Sequence, residues 1–273
     1  GGVRWVASGT GTLRSMDAEK LWATPGFEEG HLEQALATLD GGVIHAATAD
    51  LDPQTVRWPA PLRFTRDDGW RGTAAGGEAP RPAPGSPFQE VELKTFHADR
   101  TGPEGPEKLD AQGARWTPAG LRLEGSVTWT QTSQGVPLKL QGPVVLMRNG
   151  PGEDLPKNLR VGHAMADGPP VLTWGERSLT SPRMEVDRQT RRWTLDAPTL
   201  GRGQDGTFSG AGAEGTPTAW VVAGPVNLSL AGGGQLRGGQ LLWEAGAWTL
   251  RGNPATWTRL RGRLSGPRII RSG

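Results

Sequence analysis

An all-β protein of antiparallel strands is what this sequence predicts, and three observations predict it. Apolar and polar residues alternate with period two through most of the chain, in short runs separated by turn residues. Glycine (42) and proline (23) make up almost a quarter of the 273 residues, too many for a helical protein. Twelve tryptophans and five phenylalanines supply the large buried area that a disordered chain lacks. The length suffices for one large β domain or two ordinary ones.

The elements follow in order. Residues 1–75 read as an N-terminal β lobe with one departure from alternation. Leu32, Leu36 and Leu39 recur at helical spacing, and Gly41 and Gly42 supply a stop, so one short helix is expected near 28–40. Residues 76–87, GGEAPRPAPGSP, read as a Pro/Gly-rich linker or long loop. The remainder, 88–273, reads as the main β body, with a second loop at 149–158.

Two patterns recur. The first runs apolar, any, small, any, any, apolar, any, apolar. It appears as Ile44-x-Ala46-x-x-Ala49-x-Leu51, as Leu109-x-Ala111-x-x-Ala114-x-Trp116 and as Leu179-x-Ser181-x-x-Met184-x-Val186. It returns as Leu236-x-Gly238-x-x-Leu241-x-Trp243, and a shortened copy, Leu264-x-Gly266-x-x-Ile269, closes the chain. The second has copies at Leu121-x-Leu123-x-Gly125-x-Val127, Leu138-x-Leu140-x-Gly142-x-Val144 and Trp220-x-Val222-x-Gly224-x-Val226. Trp193-x-Leu195-x-Ala197 and Trp248-x-Leu250-x-Gly252 are looser relatives. A glycine in phase with apolar residues lets a strand bend, and a neighbouring proline removes one ladder donor. The copies are irregularly spaced, unlike a propeller or solenoid. They fit hairpins strung around an elongated core: a β-jelly roll or β-taco, in one lobe or two in tandem.

Composition excludes several function classes. Cysteine is absent, so a disulfide framework, a thiolate zinc site and a cysteine nucleophile are ruled out. A cysteine-free chain of this size fits an extracytoplasmic compartment. There is no apolar run of bilayer-spanning length. The opening Gly1-Gly2-Val3, without methionine, reads as a trimmed or mature start, with room for a signal or membrane anchor ahead of it. Net charge is only +2 despite a pI near 9.4, which is not the footprint of a nucleic-acid binder.

The search for chemistry finds little. His31, His45, His97 and His163 share no metal-ligand spacing. Gly201-x-Gly203-x-x-Gly206 matches a dinucleotide fingerprint in letters, but strand-like residues follow it, so a glycine turn between strands is expected. No G-x-S-x-G elbow is present. Asp50 with Asp52, and Asp67 with Asp68, sit where aspartate is favoured at strand ends and turns. No catalytic residue, metal ligand or cofactor is expected. In the last segment Arg259, Arg261 and Arg263 would share one face of a strand. They are candidates for an anionic lipid headgroup, against the alternative of a charged face that blunts a sheet edge. Trp129, Trp193, Trp220, Trp243, Trp248 and Trp257 fall on expected strands, as core or as lining of a groove.

The segments Leu121–Trp129 and Trp248–Trp257, with the continuation Leu260–Ile269, resemble the strand motif of the OstA-like superfamily, the periplasmic lipopolysaccharide-transport proteins of the LptA and LptC type. The resemblance covers about 100–273. It implies a jelly roll open along one side, whose groove holds the acyl chains of a lipopolysaccharide-like or other amphipathic lipid. It also implies edge-strand pairing with other jelly-roll transport proteins, a periplasmic or otherwise extracytoplasmic location, and no catalytic residue. The groove candidates are then Leu121, Leu123, Val127, Leu138, Leu140 and Val144, with Trp220, Val222, Val226, Trp248 and Leu250. This sequence is longer than one such domain. Two other functions compete: a structural or carbohydrate-binding β-sandwich of the cell envelope, and a glycan-active enzyme, which needs two carboxylates about 5–10 Å apart in a cleft.

Overall fold

The computed structural model describes all residues except 1, 7–12, 26–27, 40–41, 68, 82–89, 103–104, 118–119, 134, 149–157, 163–169, 188–190, 245, 260–261 and 272–273. The described residues form twenty-four strands and no helix. They fall into two compact units, 1–129 with 144–156, and 130–143 with 157–273. All pairings named below are antiparallel, and the fold is an all-β jelly roll of the taco kind.

The first unit is built from β1 (Val3–Val6), β2 (Leu13–Ala18), β3 (Lys20–Ala23), β4 (Gly30–Leu39) and β5 (Gly42–Leu51). It continues with β6 (Thr55–Trp58), β7 (Leu62–Arg66), β8 (Arg71–Pro80), β9 (Val91–Gly102) and β10 (Gly105–Thr117). β11 (Gly120–Ser133) and β12 (Val136–Arg148) contribute residues to both units. The long strands here each serve two layers. β4 pairs with β3 through its first half and with β2 through its second. β5 gives its start to β7 and its end to β6, and these two pair in turn with successive halves of β8. A strand serving two layers must bend. Gln34 in β4 and Thr95 in β9 mark such bends with φ near +50°, 52° and 51° respectively. Between the layers Phe64 stacks on Phe96 at 4.7 Å and meets Trp116 edge-on, with Trp58 and Trp70 also fully buried.

The second unit adds β13 (Asn158–Gly162), β14 (Val171–Trp174), β15 (Arg177–Thr180), β16 (Met184–Asp187), β17 (Trp193–Leu195) and β18 (Thr199–Gly203). After these come β19 (Gly206–Gly210), β20 (Gly212–Gly215), β21 (Ala219–Leu230), β22 (Gln235–Glu244), β23 (Ala247–Arg259) and β24 (Gly262–Arg271). One layer runs β14–β15–β18–β19 and reaches the second half of β21. The other runs β13–β16–β17–β20 and reaches the first half of the same strand. From β21 to β24 each long strand crosses both layers, and the register shifts at each crossing. The two layers meet at this line of bends and end freely at the turns on either side.

The two sequence patterns mark the bends. In an uninterrupted strand the odd step from Leu241 back to Gly238 would turn one of them outward. Here five residues, Val222 to Val226, oppose the four from Gly238 to Leu241, which is a β-bulge, and Leu236, Leu241, Val222 and Val226 all remain buried. Gly224 sits in this bulge with no room to spare: a Cβ there would lie 1.9 Å from the carbonyl oxygen of Gly239. The Leu179 copy spans the passage from β15 in one layer to β16 in the other, with Ser181, buried in between, donating its one hydroxyl proton to the carbonyl of Asp196 at 2.6 Å, the carbonyl of Arg183 lying 2.9 Å away.

Two expectations are corrected. The helix near 28–40 is strand β4: its buried residues are Leu32, Ala35, Ala37 and Leu39, while Leu36 is only half-buried. The three-residue step from Leu32 to Ala35 at the Gln34 bend imitates helical spacing. Of the stretch 76–87 expected as a linker or loop, Gly76–Pro80 is the end of β8, which pairs onward with β9. Residues 82–87 lie outside the described residues. So does the loop at 149–158, except Asn158, which opens β13.

Candidate functional site

The free ends of the two layers in the second unit enclose a chamber of about 40 Å³. The β14–β15 hairpin brings Trp174 and Arg177 from one layer, and the Gln204–Asp205 turn between β18 and β19 brings Arg202, Asp205 and Phe208. The opposite layer supplies Trp220 from β21, Leu241 and Trp243 from β22, and Trp248 from β23. Hairpin chemistry places them so: Gly175 has φ 54° and Gly206 φ 134°, conformations that favour glycine, and both sit at the turns that carry the rim.

Aromatic rings line the chamber in series. Phe208 stacks on Trp220 at 5.3 Å, Trp220 on Trp243 at 6.0 Å, and Trp174 meets Trp220 edge-on at 6.3 Å. Such pairs contribute about 0.5–1.5 kcal/mol beyond their buried area. Nε1 of Trp174, Trp220, Trp243 and Trp248 is buried without an acceptor among the described residues. Trp58, Trp193 and Trp257 carry indole N–H groups in the same state elsewhere, so the feature is general to the fold; the four here belong to residues that line the chamber.

Among the described residues two contacts span the rim. The Arg177 guanidinium lies 4.0 Å from the ring centre of Trp243, across the gap between layers. Arg271, at the end of β24, pairs with Asp205 in the facing turn. A cation–π contact of this kind contributes about 0.5–2 kcal/mol. The ion pair is half-exposed at Arg271 and contributes at most about 1 kcal/mol. The rim is therefore far more weakly held than the aromatic interior. Each buried tryptophan there hides some 150–250 Å².

Of the groove candidates, Trp220 and Trp248 line this chamber. Val222, Val226, Leu250, Leu138 and Leu140 are buried in the filled interior of the second unit rather than along an open slot. Leu121, Leu123 and Val127 are likewise buried, in the first unit, and Val144 is half-buried. The row of headgroup candidates is not a row. β23 ends at Arg259 and β24 begins at Gly262, and Arg263 pairs with Thr258, which puts Arg259 and Arg263 on opposite faces. Arg261 lies outside the described residues. The rim arginines Arg177, Arg202 and Arg271 were not distinguishable in sequence, because they come from three hairpins and only the fold gathers them.

A second, open concavity lies in the first unit around Trp22, His31 and Asp52. Trp22 is 52% exposed, its ring 5.9 Å from that of His31, and His31 Nδ1 is 2.6 Å from Asp50 Oδ1. Three hydrogen bonds hold the Asp52 carboxyl below its ordinary pKa, first from the Thr55 hydroxyl and then from the N–H groups of Gln54 and Thr55. His97 pairs with Asp110, and among the described residues no three acidic or histidine side chains cluster as metal ligands. Gly201–Gly206 is the β18–β19 hairpin, not a phosphate loop. No family model, curated protein or solved structure matches the chain.

Proposed function

We propose that this protein is a non-enzymatic, extracytoplasmic lipid holder of the OstA-like kind. It takes the apolar part of an amphipathic lipid between the two layers of its second unit. One observation carries the reading. An aromatic chamber opens where the layers part, and arginines stand at its rim, an apolar interior beneath a cationic edge. That is the polarity an anionic amphiphile presents in reverse. In this reading the acyl chains replace ring-to-ring contacts near the mouth, while phosphates or sugars stay in water. β24 pairs only with β23 among the described residues, and its free side is the surface for strand addition by another jelly-roll protein.

The test is native mass spectrometry of the full chain after exposure to a bis-phosphorylated, acylated glycolipid and to phosphatidylglycerol. Retention of one or two lipids per chain is the expected result. A chain that emerges free of both lipids counts decisively against the proposal.

A second reading, a carbohydrate-binding module of the cell envelope, has the exposed Trp22 in its favour. An indole with one open face beside a His–Asp pair is a platform on which a sugar ring can stack.

A further inference from the structure

We propose that Arg177 and Arg271 have two alternating duties: they latch the chamber shut, and on opening they become the receptor for an anionic headgroup. The inference rests on the lipid-holding reading and adds the entry route, the gate and the charge of the ligand.

Size supplies the first argument. A chamber of about 40 Å³ is ample for a water molecule, which needs only about 10–15 Å³, but an acyl chain requires the walls to part. Where they part is decided by what holds them. At the line of bends the layers are covalently continuous through β21, β22, β23 and β24. In the interior they are held by buried rings. At the rim the contacts among the described residues are two partly solvated interactions, Arg177 over Trp243 and Arg271 with Asp205.

Charge supplies the second. Both contacts use a guanidinium, and a guanidinium binds phosphate in a bidentate fork at least as well as it binds a ring or a single carboxylate. A phosphate arriving at the rim competes with Asp205 for Arg271 and draws Arg177 off Trp243, with the exposed Arg202 alongside. The same exchange uncovers the indole N–H groups of Trp243 and Trp248, which then meet the oxygens that join headgroup to chain. A neutral amphiphile offers no such exchange and meets a closed rim.

The chain has no cysteine, so a gate test is direct. Asp205→Cys combined with Arg271→Cys is bridged by a reducible bis-maleimide. Binding of dansyl phosphatidylglycerol is then measured before and after cleavage of the bridge, with the same variant capped by a monofunctional maleimide as control. Both forms lack Arg271 and are expected to bind more weakly than wild type through Arg177 and Arg202; the bridged form is expected to bind about tenfold or more weakly than the capped form, and to reach the capped form's affinity on cleavage. A bridged form that binds as well as the capped one overturns the gate and leaves the lipid reading standing. Wild-type protein that binds neither this probe nor dansyl phosphatidylcholine sinks the lipid reading and the gate with it.

A milder variant checks the exchange. Asp205→Asn frees Arg271 without a crosslink and is expected to speed phosphatidylglycerol binding about two- to fivefold in stopped-flow, with a smaller effect of salt. Unchanged rates and unchanged salt dependence would contradict the exchange.

Discussion

Glu107 and Trp129 are joined by a buried hydrogen bond, in which Nε1 of Trp129 donates to Oε2 at 3.0 Å. The other carboxylate oxygen accepts from Arg100 at 2.6 and 2.9 Å, and the Arg100 guanidinium lies 5.3 Å from the ring centre of Trp70. The Glu107 side chain is 1% exposed and that of Arg100 13%. Removing one member of such a pair leaves a charge buried without its partner, at a cost of about 3–5 kcal/mol. Glu107→Ala and Arg100→Ala are each expected to lose that much in urea denaturation. The double variant Glu107→Ala with Arg100→Ala is expected to lose less than the sum. Strict additivity would show that the pair is not coupled.

Two glycine-to-alanine substitutions in one unit separate the bend from ordinary turns. At Gly224 a Cβ meets the Gly239 carbonyl oxygen at 1.9 Å, whereas at Gly232 nothing lies within 4 Å. Overpacking a site whose neighbour is backbone costs about 1–3 kcal/mol or more, because that neighbour cannot rotate away. Gly224→Ala is expected to lower the denaturation midpoint by that amount, and Gly232→Ala to change stability by less than about 0.5 kcal/mol. Equal effects would mean that the bulge is not a tight crossing.

The strand class and the bends were legible for a local reason. Alternation and the phase slip in Leu236-x-Gly238-x-x-Leu241 are properties of adjacent residues, and glycine at 125 and 224 announces curvature. The same phase slip misled at Leu32, Leu36 and Leu39, where Ala35 and not Leu36 is the buried residue. A three-residue step in a bending strand cannot be told from one turn of helix by periodicity alone. The break after Arg259 was hidden because Leu260 and Arg261 carry no turn chemistry, and only Gly262 follows as a signal. The rim was illegible for a different reason. Arg271 and Asp205 are 66 residues apart and meet only through pairing of four intervening strands.

Acid should weaken the turn at Asp52 in a defined direction. Its carboxyl is held below the ordinary 3.8 by the Thr55 hydroxyl first, then by two backbone N–H groups. The unfolded chain therefore binds a proton at a pH where the folded chain does not, and stability rises with pH across that window. The contribution is complete above about pH 4 and disappears as pH falls through the lowered value. Asp52→Asn is expected to be less stable than wild type at neutral pH, with the gap closing in strong acid. A gap independent of pH would assign the effect to geometry instead of charge.

Trp22 separates the two functional readings. Half-exposed, it contributes little to the core, so Trp22→Ala is expected to leave thermal unfolding within about 2 °C of wild type. If the carbohydrate reading holds, calorimetric titration with cell-envelope glycans gives binding in wild type and none in the variant. Under the lipid reading, lipid retention is the same in both. Loss of lipid on Trp22→Ala would relocate the lipid site to the first unit.

The free edge of β24 makes a prediction about assembly. Leu264 and Ile270 are 59% and 53% exposed, apolar side chains on a strand whose outer backbone has no partner among the described residues. Three arginines, Arg263, Arg268 and Arg271, lie along the same strand. Two copies meeting edge to edge would bring these charges together, and like charges directly opposite oppose pairing. Screening removes that opposition, because the Debye length falls from about 10 Å at 0.1 M salt to about 3 Å at 1 M. Light scattering is therefore expected to find monomers at low salt and growing association toward molar salt. Leu264→Lys with Ile270→Lys should keep the chain monomeric throughout. Self-association that weakens with salt, or survives both lysines, would show that this edge is not where copies meet.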